Sequence, residues 1–205
     1  MAERTESWDA VVIGGGPAGA MAGATLAMRG RRVVVLEKEA APGYRVGESL
    51  IPYCWYPLER IGAIEAIERA GFTHKHSVQF VSGAGRVTRP FYFHDHHAHP
   101  SSRTWQVDRE TFDRELRAIA TGHGASLRMG WTAKALIEEE GAVVGVDALD
   151  ANGEAIRLNA GVVIDASGRD GFVMRQRAWR RPEPRLNRIA IWTYVQGALR
   201  DEGRD

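Results

Sequence analysis

The sequence predicts an α/β fold: a Rossmann-like dinucleotide-binding domain with an inserted antiparallel β-meander and part of a β-rich second domain. Three observations predict it. A short apolar segment runs straight into a G-x-G-x-x-G turn and an Ala-rich helix. Four β-rich segments follow one another between Ser126 and Leu158, which is typical of a meander. A last apolar segment, Val162–Ile164, then ends in the small residues of Asp165–Gly168, as strands at a ligand-binding edge do.

Composition excludes several functional classes. The 205 residues provide an ample core, and their net charge of +1 gives no sign of a nucleic-acid or membrane-surface partner. The single cysteine, Cys54, excludes an internal disulfide and fits a reducing compartment. Ala2–Ser7 is too polar for a signal peptide, and no apolar run is long enough to cross a bilayer. We therefore expect a cytoplasmic protein that binds neither nucleic acid nor membrane.

The glycine turn follows an apolar segment, Ala10–Ile13, that reads as a buried strand. In a G-x-G-x-x-G turn, Gly14 permits the tight bend and Gly16 lets the backbone approach a pyrophosphate. Gly19 lets helix and strand pack closely, and the helix that opens at Pro17 offers unpaired N–H groups to the pyrophosphate. Because a strand precedes the turn and a helix follows it, we predict a dinucleotide site rather than a purely structural glycine turn.

The first helix is predicted over Pro17–Met28, because proline suits a first helical turn and Gly30 among arginines suits a helix end. A second strand, Arg32–Leu36, ends in Glu37. An acid at this position accepts hydrogen bonds from the adenosine ribose and disfavours a 2′-phosphate.

The next region is irregular and then helical. Ala41–Leu50 contains two glycines and a proline, which rule out a regular element. Pro52 opens a helical region whose apolar residues recur at three-residue steps and are expected in the core. These residues are Leu58, Ile61, Ile64 and Ile67.

A β-hairpin is predicted next, with strands Ser77–Val81 and Arg86–Phe93 on either side of Ser82–Gly85. The histidine-rich segment His94–Pro100 raises the hypothesis of a metal site, because imidazole is a common zinc ligand. Its histidines lack a regular helical or hairpin spacing and stand before a predicted loop. We therefore predict a solvated turn and no metal.

A second helix is predicted over Arg109–Ala120, with Asp108 as its N-cap. Its buried stripe consists of Phe112, Leu116, Ile119 and Ala120. Arg109 is unusual, because a cation in the first turn opposes the helix dipole. Two interpretations stay open: Arg109 turns to Asp113 or solvent, or it reaches an anionic cofactor.

The second half of the chain contains the β-segments Ser126–Met129, Thr132–Glu138, Ala142–Leu149 and Glu154–Leu158. The last three are predicted to form an antiparallel meander, since turn residues such as Asn152–Gly153 join them. After the linker-like stretch 180–184, Arg188–Leu199 reads as a further strand. The chain stops soon after it, so we expect a piece of a longer protein.

Taken together, these motifs resemble FAD-dependent proteins of the p-hydroxybenzoate hydroxylase fold. The motifs that carry the resemblance are the glycine turn, Glu37–Lys38, Gly47–Leu50, Trp105–Val107 with Arg109, Phe112–Asp113, and Asp165–Gly168. Within that group, the G-E-S-L-I-P segment and the aromatic-rich helix after it are most similar to flavin-dependent halogenases of the tryptophan halogenase-like branch.

The resemblance implies FAD as the cofactor. Its implied binding residues are Gly14, Gly16, Pro17, Ala18, Gly19, Glu37, Lys38, Arg45, Ser49, Leu50, Arg109, Asp165 and Gly168. The glycines would cradle the pyrophosphate, Glu37 would bind the ribose, and Arg45 with the Gly47–Leu50 loop would lie along the flavin. Arg109 would reach FAD, and Asp165–Gly168 would close over the adenosine end.

The resemblance also implies a catalytic lysine. Lys75 follows the G-E-S segment at the distance of the family's active-site lysine. From its neighbours alone, it would be a solvated lysine between two histidines in a loop. In the family's reaction, a separate reductase supplies reduced FAD, and oxygen and halide are consumed. The lysine then directs the electrophile to an electron-rich aromatic or carrier-tethered substrate.

Two family motifs, W-x-W-x-I-P and a second flavin motif with G-D, do not occur in the 205 residues. Two alternatives to a halogenase therefore stay open. One is an FAD-dependent monooxygenase or geranylgeranyl-reductase-like enzyme, and the other is a non-catalytic flavin-binding fragment. A plain NAD dehydrogenase is disfavoured by the meander and the D-A-S-G return strand.

The resemblance also divides the chain. Residues 1–71 and 105–180 are expected to form the FAD-binding domain, with the meander in its second part. Residues 72–104 are expected to be a β segment on the substrate side, and residues 181–205 to begin the sheet of the substrate domain.

Overall fold

A computed structural model describes residues 4–41, 43, 45–186, 189, 191, 193, 196 and 197. Its strands, numbered along the chain, are β1 (Arg4–Ile13), β2 (Val33–Glu37), β3 (Thr73–Lys75), β4 (Ser77–Val78), β5 (Phe91–Tyr92), β6 (Thr104–Gln106), β7 (Ser126–Met129), β8 (Thr132–Glu139), β9 (Ala142–Leu149) and β10 (Ala155–Asp165). Its α-helices are α1 (Pro17–Ala27), α2 (Trp55–Arg60), α3 (Ile64–Arg69), α4 (Phe93–His96), α5 (Arg109–Gly122) and α6 (Phe172–Gln176). The α/β fold class is confirmed.

A six-stranded mixed sheet in the order β7-β2-β1-β10-β9-β8 forms the centre of the fold. The first four of these strands run parallel to their neighbours, whereas β10, β9 and β8 pair antiparallel. The predicted meander is therefore present, and it extends the edge of the same sheet. All five residues of β2 are buried, as expected for a parallel strand covered on both faces.

The prediction of two strands at 154–158 and 162–164 was wrong, because β10 is one continuous strand of 11 residues. In the fold, Asn159 lies opposite Ser7 on one side and Gly145 on the other. β1 also begins earlier than its apolar residues indicated, at Arg4, so its pairing with β10 reaches back to Ile156.

Helices α1 and α5 pack against each other over one face of the sheet. Alternate residues of β1 and β2 point into this layer, where Val12 and Val35 meet Ala24 of α1 and Leu116 of α5. The intervening strand residues face the opposite layer, which includes Leu158 and the residues Trp131, Val146 and Phe172. Both helices end within two residues of their predicted bounds, and Asp108 caps α5 by accepting from Thr111 N at 2.8 Å.

The helical region after Pro52 consists of a 3₁₀ turn followed by α2 and α3. Of its predicted core residues, Leu58, Ile61 and Ile67 are fully buried and Ile64 is half-buried. No helix among the residues that the structure describes is both long and apolar enough to cross a membrane.

A smaller β region lies between residues 73 and 106. β3 pairs antiparallel with β6, and β4 with β5. The predicted hairpin is confirmed, although both of its strands, β4 and β5, are only two residues long, and beyond them an isolated bridge joins Val81 and Val87. The histidine-rich segment starts as a short exposed helix rather than a turn. The predicted strand Arg188–Leu199 falls mostly outside the described residues.

Candidate cofactor site

The glycine turn stands at the edge of the sheet where three neighbouring parallel strands end. Ile13 of β1 is in register with Leu36 of β2 and with Asp165 of β10. The carboxyl ends of these strands therefore lie side by side, which is where open α/β sheets bind ligands.

Two glycines of the turn are sterically required, and a third faces open space. Gly14 has a φ of +102°, and a Cβ added to it would lie 2.5 Å from the carbonyl oxygen of Ala166. A Cβ on Gly19 would lie 1.7 Å from the carbonyl oxygen of Gly14. A Cβ on Gly16, in contrast, would meet no heavy atom within 4 Å. The turn therefore has no room for side chains at Gly14 and Gly19, and it leaves space for a ligand beside Gly16.

The start of α1 favours an anion at this opening. Gly16 is the N-cap and provides no side-chain hydrogen bond, and the first turn contains no acidic residue. The first N–H groups of a helix lack intrahelical partners and carry a partial positive charge. Pro17 is partly exposed and Ala18 is exposed, so the helix start is accessible. These features fit a pyrophosphate group.

Glu37 lies behind the turn rather than at its open side. The residue is buried, and its Oε2 accepts from the N–H of Gly15 at 2.9 Å. Its Oε1 accepts from the N–H of Glu39 at 3.0 Å. The guanidinium of Arg117, also buried, lies 3.5 Å from Oε2.

Arg109 forms a bidentate ion pair with Asp113, one helical turn later. Its Nε and Nη2 donate to the two carboxylate oxygens at 2.9 and 3.0 Å. Its Nη1 donates to the carbonyl of Val46 at 3.3 Å, which attaches the start of α5 to the loop before Gly47. The structure thus shows the Asp113 contact that the sequence left open. The loop contact places Arg109 beside the segment that was predicted to line the flavin.

The return loop after β10 packs directly behind the glycine turn. Asp165 accepts hydrogen bonds from the N–H groups of Ser167 and Val173, so it organises this loop and the start of α6. Gly168 opens the next turn with a φ of +63°. Beside it, Lys38 donates to Asp170, and this contact lowers the pKa of the Asp170 carboxyl.

A second cluster surrounds Lys75, the last residue of β3. Its Nζ donates to Ser49 Oγ at 2.8 Å and to the carbonyl of Leu50 at 3.4 Å. The Nζ atom also lies 5.6 Å from the centre of the Phe93 ring. Partial burial among these groups lowers the pKa of the Lys75 ammonium below its ordinary value of 10.5.

The loop at 48–50 is joined to β6 by an isolated antiparallel β-bridge between Ser49 and Gln106. Leu50 N donates to the carbonyl of Trp105 at 3.0 Å, and Val107 N donates to the carbonyl of Glu48 at 2.8 Å. Beneath the loop, Trp105 is fully buried and stacks on Trp55 with a centroid distance of 5.6 Å. The position of Lys75 is therefore set by a packed support rather than by a free loop.

An open cleft of about 580 Å³ lies beside the Lys75 strand. Its walls include His76, Tyr92, His99 and Arg103. No group of three or more metal-ligating side chains occurs in the part of the chain that the structure describes.

Comparison with known proteins identifies the family. The FAD binding domain family matches residues 7–196, which is more than half of the chain. The chain belongs to this family. FAD is thus the cofactor, as the sequence predicted, and the glycine turn and helix start described above fit its pyrophosphate.

Halogenases are among the most similar proteins. The 1H-pyrrole-2-carbonyl-[peptidyl-carrier protein] brominase of Pseudoalteromonas luteoviolacea (strain 2ta16) is 31% identical over 96% of the chain and 47% of its own length. The tryptophan 2-halogenase of Chondromyces crocatus is 32% identical over 92% of the chain and 35% of its own length. The myxobacterial chondrochloren halogenase CndH superposes with a TM-score of 0.75 and 33% identity over 80% of the chain and 38% of its own. The chain thus spans less than half the length of each of these proteins.

The predicted site residues of this chain lie in two places. The glycine turn, Glu37, Lys38, Asp165 and Gly168 meet at the sheet edge, whereas Ser49 and Leu50 meet Lys75. Arg45 pairs with Glu39 at 3.6 Å. Helix α5 connects the two places, because Arg109 and Arg117 lie about 12 Å apart along its axis at 1.5 Å per residue.

Arg117 is the residue that the sequence analysis missed. Arg109, Asp113 and Arg117 recur every four residues, so they share one face of α5 with the apolar stripe. Charged residues spaced four apart beside a buried apolar stripe are the sequence pattern that would have predicted the buried position of Arg117.

Proposed function

We propose that this chain is the FAD-binding part of a flavin-dependent halogenase that places halogen on an electron-rich aromatic ring. The observation that carries the proposal is the position of Lys75, whose amine is held against Ser49 and Leu50 at the end of a short strand. Similarity to a pyrrole-2-carbonyl brominase and a tryptophan 2-halogenase supports it.

The proposed cofactor contacts follow from the site. Gly16, Pro17, Ala18 and Gly19 at the start of α1 would face the pyrophosphate. Glu37 would bind the ribose hydroxyls, with Lys38 and Gly168 beside it, because an ionised carboxylate can accept further hydrogen bonds besides those from Gly15 and Glu39.

The flavin side of the cofactor would lie along the loop that Arg109 attaches to α5. We propose that Arg45, Ser49 and Leu50 line it there, and that Asp165 contributes by shaping the return loop.

The cofactor supplies the redox chemistry: reduced FAD, oxygen and halide are consumed, halide is oxidised, and water is released while an aromatic C–H becomes a C–halogen bond. The contribution of Lys75 would be to hold the electrophilic halogen species by hydrogen bonding or as a haloamine and to orient it toward the ring. The lowered pKa suits this role, because it keeps a larger neutral fraction of the amine at a given pH.

The proposed partners are a flavin reductase that supplies reduced FAD, a halide ion, and a small aromatic or carrier-tethered substrate. The hairpin of β4 and β5, with the cleft that His76 and Tyr92 line, would form part of the substrate side. On this view, residues 72–104 belong to the substrate side, residues 1–71 and 105–180 to the FAD side, and residues 181–205 begin a further sheet.

The test is a halide-dependent reaction. The protein that carries these residues is supplied with FAD, NADH, a flavin reductase and bromide, together with tryptophan or a pyrrole-2-carbonyl carrier protein. We expect mass spectrometry to show bromine in one of these products. A hydroxylated product that forms equally without bromide would instead indicate a monooxygenase. Bound flavin without any turnover would indicate a non-catalytic flavin-binding module.

A further inference from the structure

The guanidinium of Arg117 is buried beneath the glycine turn, where no proposed contact so far uses it. Its Nε donates to the carbonyl of Gly15 at 2.6 Å, and its Nη2 lies 3.5 Å from Oε2 of Glu37. Its buried Nη1 has no hydrogen-bond partner among the described residues. Burying a guanidinium costs desolvation free energy, so the contacts that it makes at this position need an explanation.

The peptide groups around Gly15 are held on both sides by this charged pair. Glu37 accepts from the N–H of Gly15 at 2.9 Å, while Arg117 binds its carbonyl. The second oxygen of Glu37 accepts from the N–H of Glu39 and is therefore occupied as well. The turn is thus fixed from behind by ionic hydrogen bonds, which are stronger than neutral ones.

The contact to the Gly15 carbonyl determines where the next N–H points. A trans peptide is planar, so the carbonyl of Gly15 and the N–H of Gly16 point in opposite directions. Because the carbonyl points to the buried guanidinium, the N–H of Gly16 points away from it. Gly16 itself is partly exposed, and a Cβ added to it would meet no heavy atom within 4 Å.

We propose that Arg117 is a positioning residue for the FAD pyrophosphate. By holding the Gly15 carbonyl, it aims the N–H of Gly16 at the phosphate oxygens, and by pairing with Glu37 it balances the charge of the buried carboxylate. This inference rests on FAD binding and not on halogenation. A protein that binds FAD but halogenates nothing would leave it intact.

An arginine suits this position better than a lysine. Its planar fork presents Nε to the Gly15 carbonyl and Nη2 to Glu37 at the same time. A lysine amine would keep the charge but would lack the fixed fork that faces both acceptors. Arg117→Lys should therefore show an intermediate effect.

The test compares Arg117→Met and Arg117→Lys with Arg114→Met, which changes an exposed arginine of the same helix. FAD affinity is measured by quenching of flavin fluorescence, and the bound pyrophosphate is observed by ³¹P NMR. We expect Arg117→Met to weaken FAD binding by about tenfold or more and to shift the ³¹P resonances. Arg117→Lys should fall between this variant and the parent, and Arg114→Met should match the parent.

A second pair of variants separates positioning from charge balance. Arg117→Met leaves a buried carboxylate unpaired, which could itself damage the fold. The double variant Glu37→Gln/Arg117→Met removes that carboxylate charge, so urea unfolding should show it to be more stable than Arg117→Met alone. We expect it still to bind FAD about tenfold more weakly than Glu37→Gln. Equal FAD affinities and equal ³¹P spectra for these two variants would overturn the proposal.

Discussion

The two functional regions of this chain are built in different ways. The glycine turn consists of backbone groups that pack against buried strands, and every residue of the neighbouring strand β2 is buried. The Lys75 region rests on strands of two or three residues, and its hairpin leaves Phe80 and Val81 about two-thirds exposed. The core of the fold thus fixes the whole first region, whereas in the second it supports Lys75 through β6 and leaves the hairpin exposed.

The two regions should therefore respond differently to amino-acid substitution. Substitutions at the turn should affect folding and cofactor binding together, because the same backbone contacts serve both. Substitution of Lys75 itself should change the chemistry while leaving FAD binding intact. The four predictions below test that separation.

The largest effect is expected from Gly19→Ala, since the new Cβ would lie 1.7 Å from the carbonyl oxygen of Gly14. We expect the free energy of unfolding to fall by about 3 kcal/mol or more and FAD binding to be lost, as measured by urea unfolding and fluorescence titration. Gly83→Ala in the hairpin is the matched control, because its Cβ would meet nothing within 4 Å. Similar losses in the two variants would remove the contrast between the regions.

The next largest effect is expected from Lys75→Gln. We predict that bromide-dependent product formation falls by about 100-fold or more, while FAD affinity stays within about twofold of the parent. Lys134→Gln, at an exposed lysine of β8, is the control. Halogenation at the parent rate in Lys75→Gln would show that this lysine is not catalytic, and the fold and the cofactor site would be unaffected by that result.

Arg109→Met should lower the free energy of unfolding by about 2 kcal/mol, because it leaves the buried Asp113 carboxylate without its partner. Arg109→Met/Asp113→Leu removes both charges and should recover most of that loss in urea unfolding.

FAD affinity in the double variant then decides between the two interpretations of Arg109. Binding that stays weak would support an arginine that reaches the cofactor. Affinity equal to that of the parent would make the pair purely structural.

The smallest effect is expected from Lys38→Ala, which removes an exposed ion pair with Asp170. Lys38 lowers the pKa of Asp170 below 3.8, so the pair stabilises the fold above that pH and loses its contribution as pH falls through the lowered pKa. We expect the free energy of unfolding to fall by about 0.5 kcal/mol or less at pH 7. This loss should disappear once the pH is below the lowered pKa of Asp170, as measured by urea unfolding at pH 7 and in acid. A loss of FAD affinity far larger than this would instead place Lys38 on the cofactor.

Much of the site followed from local sequence patterns. The strand, glycine turn and helix of residues 10–28 were predicted nearly residue by residue, because Gly, Pro and buried aliphatic residues have strong local preferences. The cap at Asp108 and the hairpin at Asn152–Gly153 were predicted for the same reason.

The errors occurred where distant segments override local preference. Two strands were predicted at 154–158 and 162–164, yet pairing with β1 on one side, and with β9 as far as Asn159 on the other, makes β10 one continuous strand. The predicted strands Ser77–Val81 and Arg86–Phe93 each shortened to two residues, and Phe93 begins α4.

The sequence by itself determined the first strand, the glycine turn and the helix after it, because the glycine spacing is that of a turn without room for a Cβ, and its motifs implied FAD by resemblance. Only the tertiary structure decided how Lys75 meets Ser49 and how Arg117 reaches Gly15. These contacts join residues far apart in the chain, and no local preference encodes them. They arise from the pairing of β3 with β6 and the packing of α5 on α1.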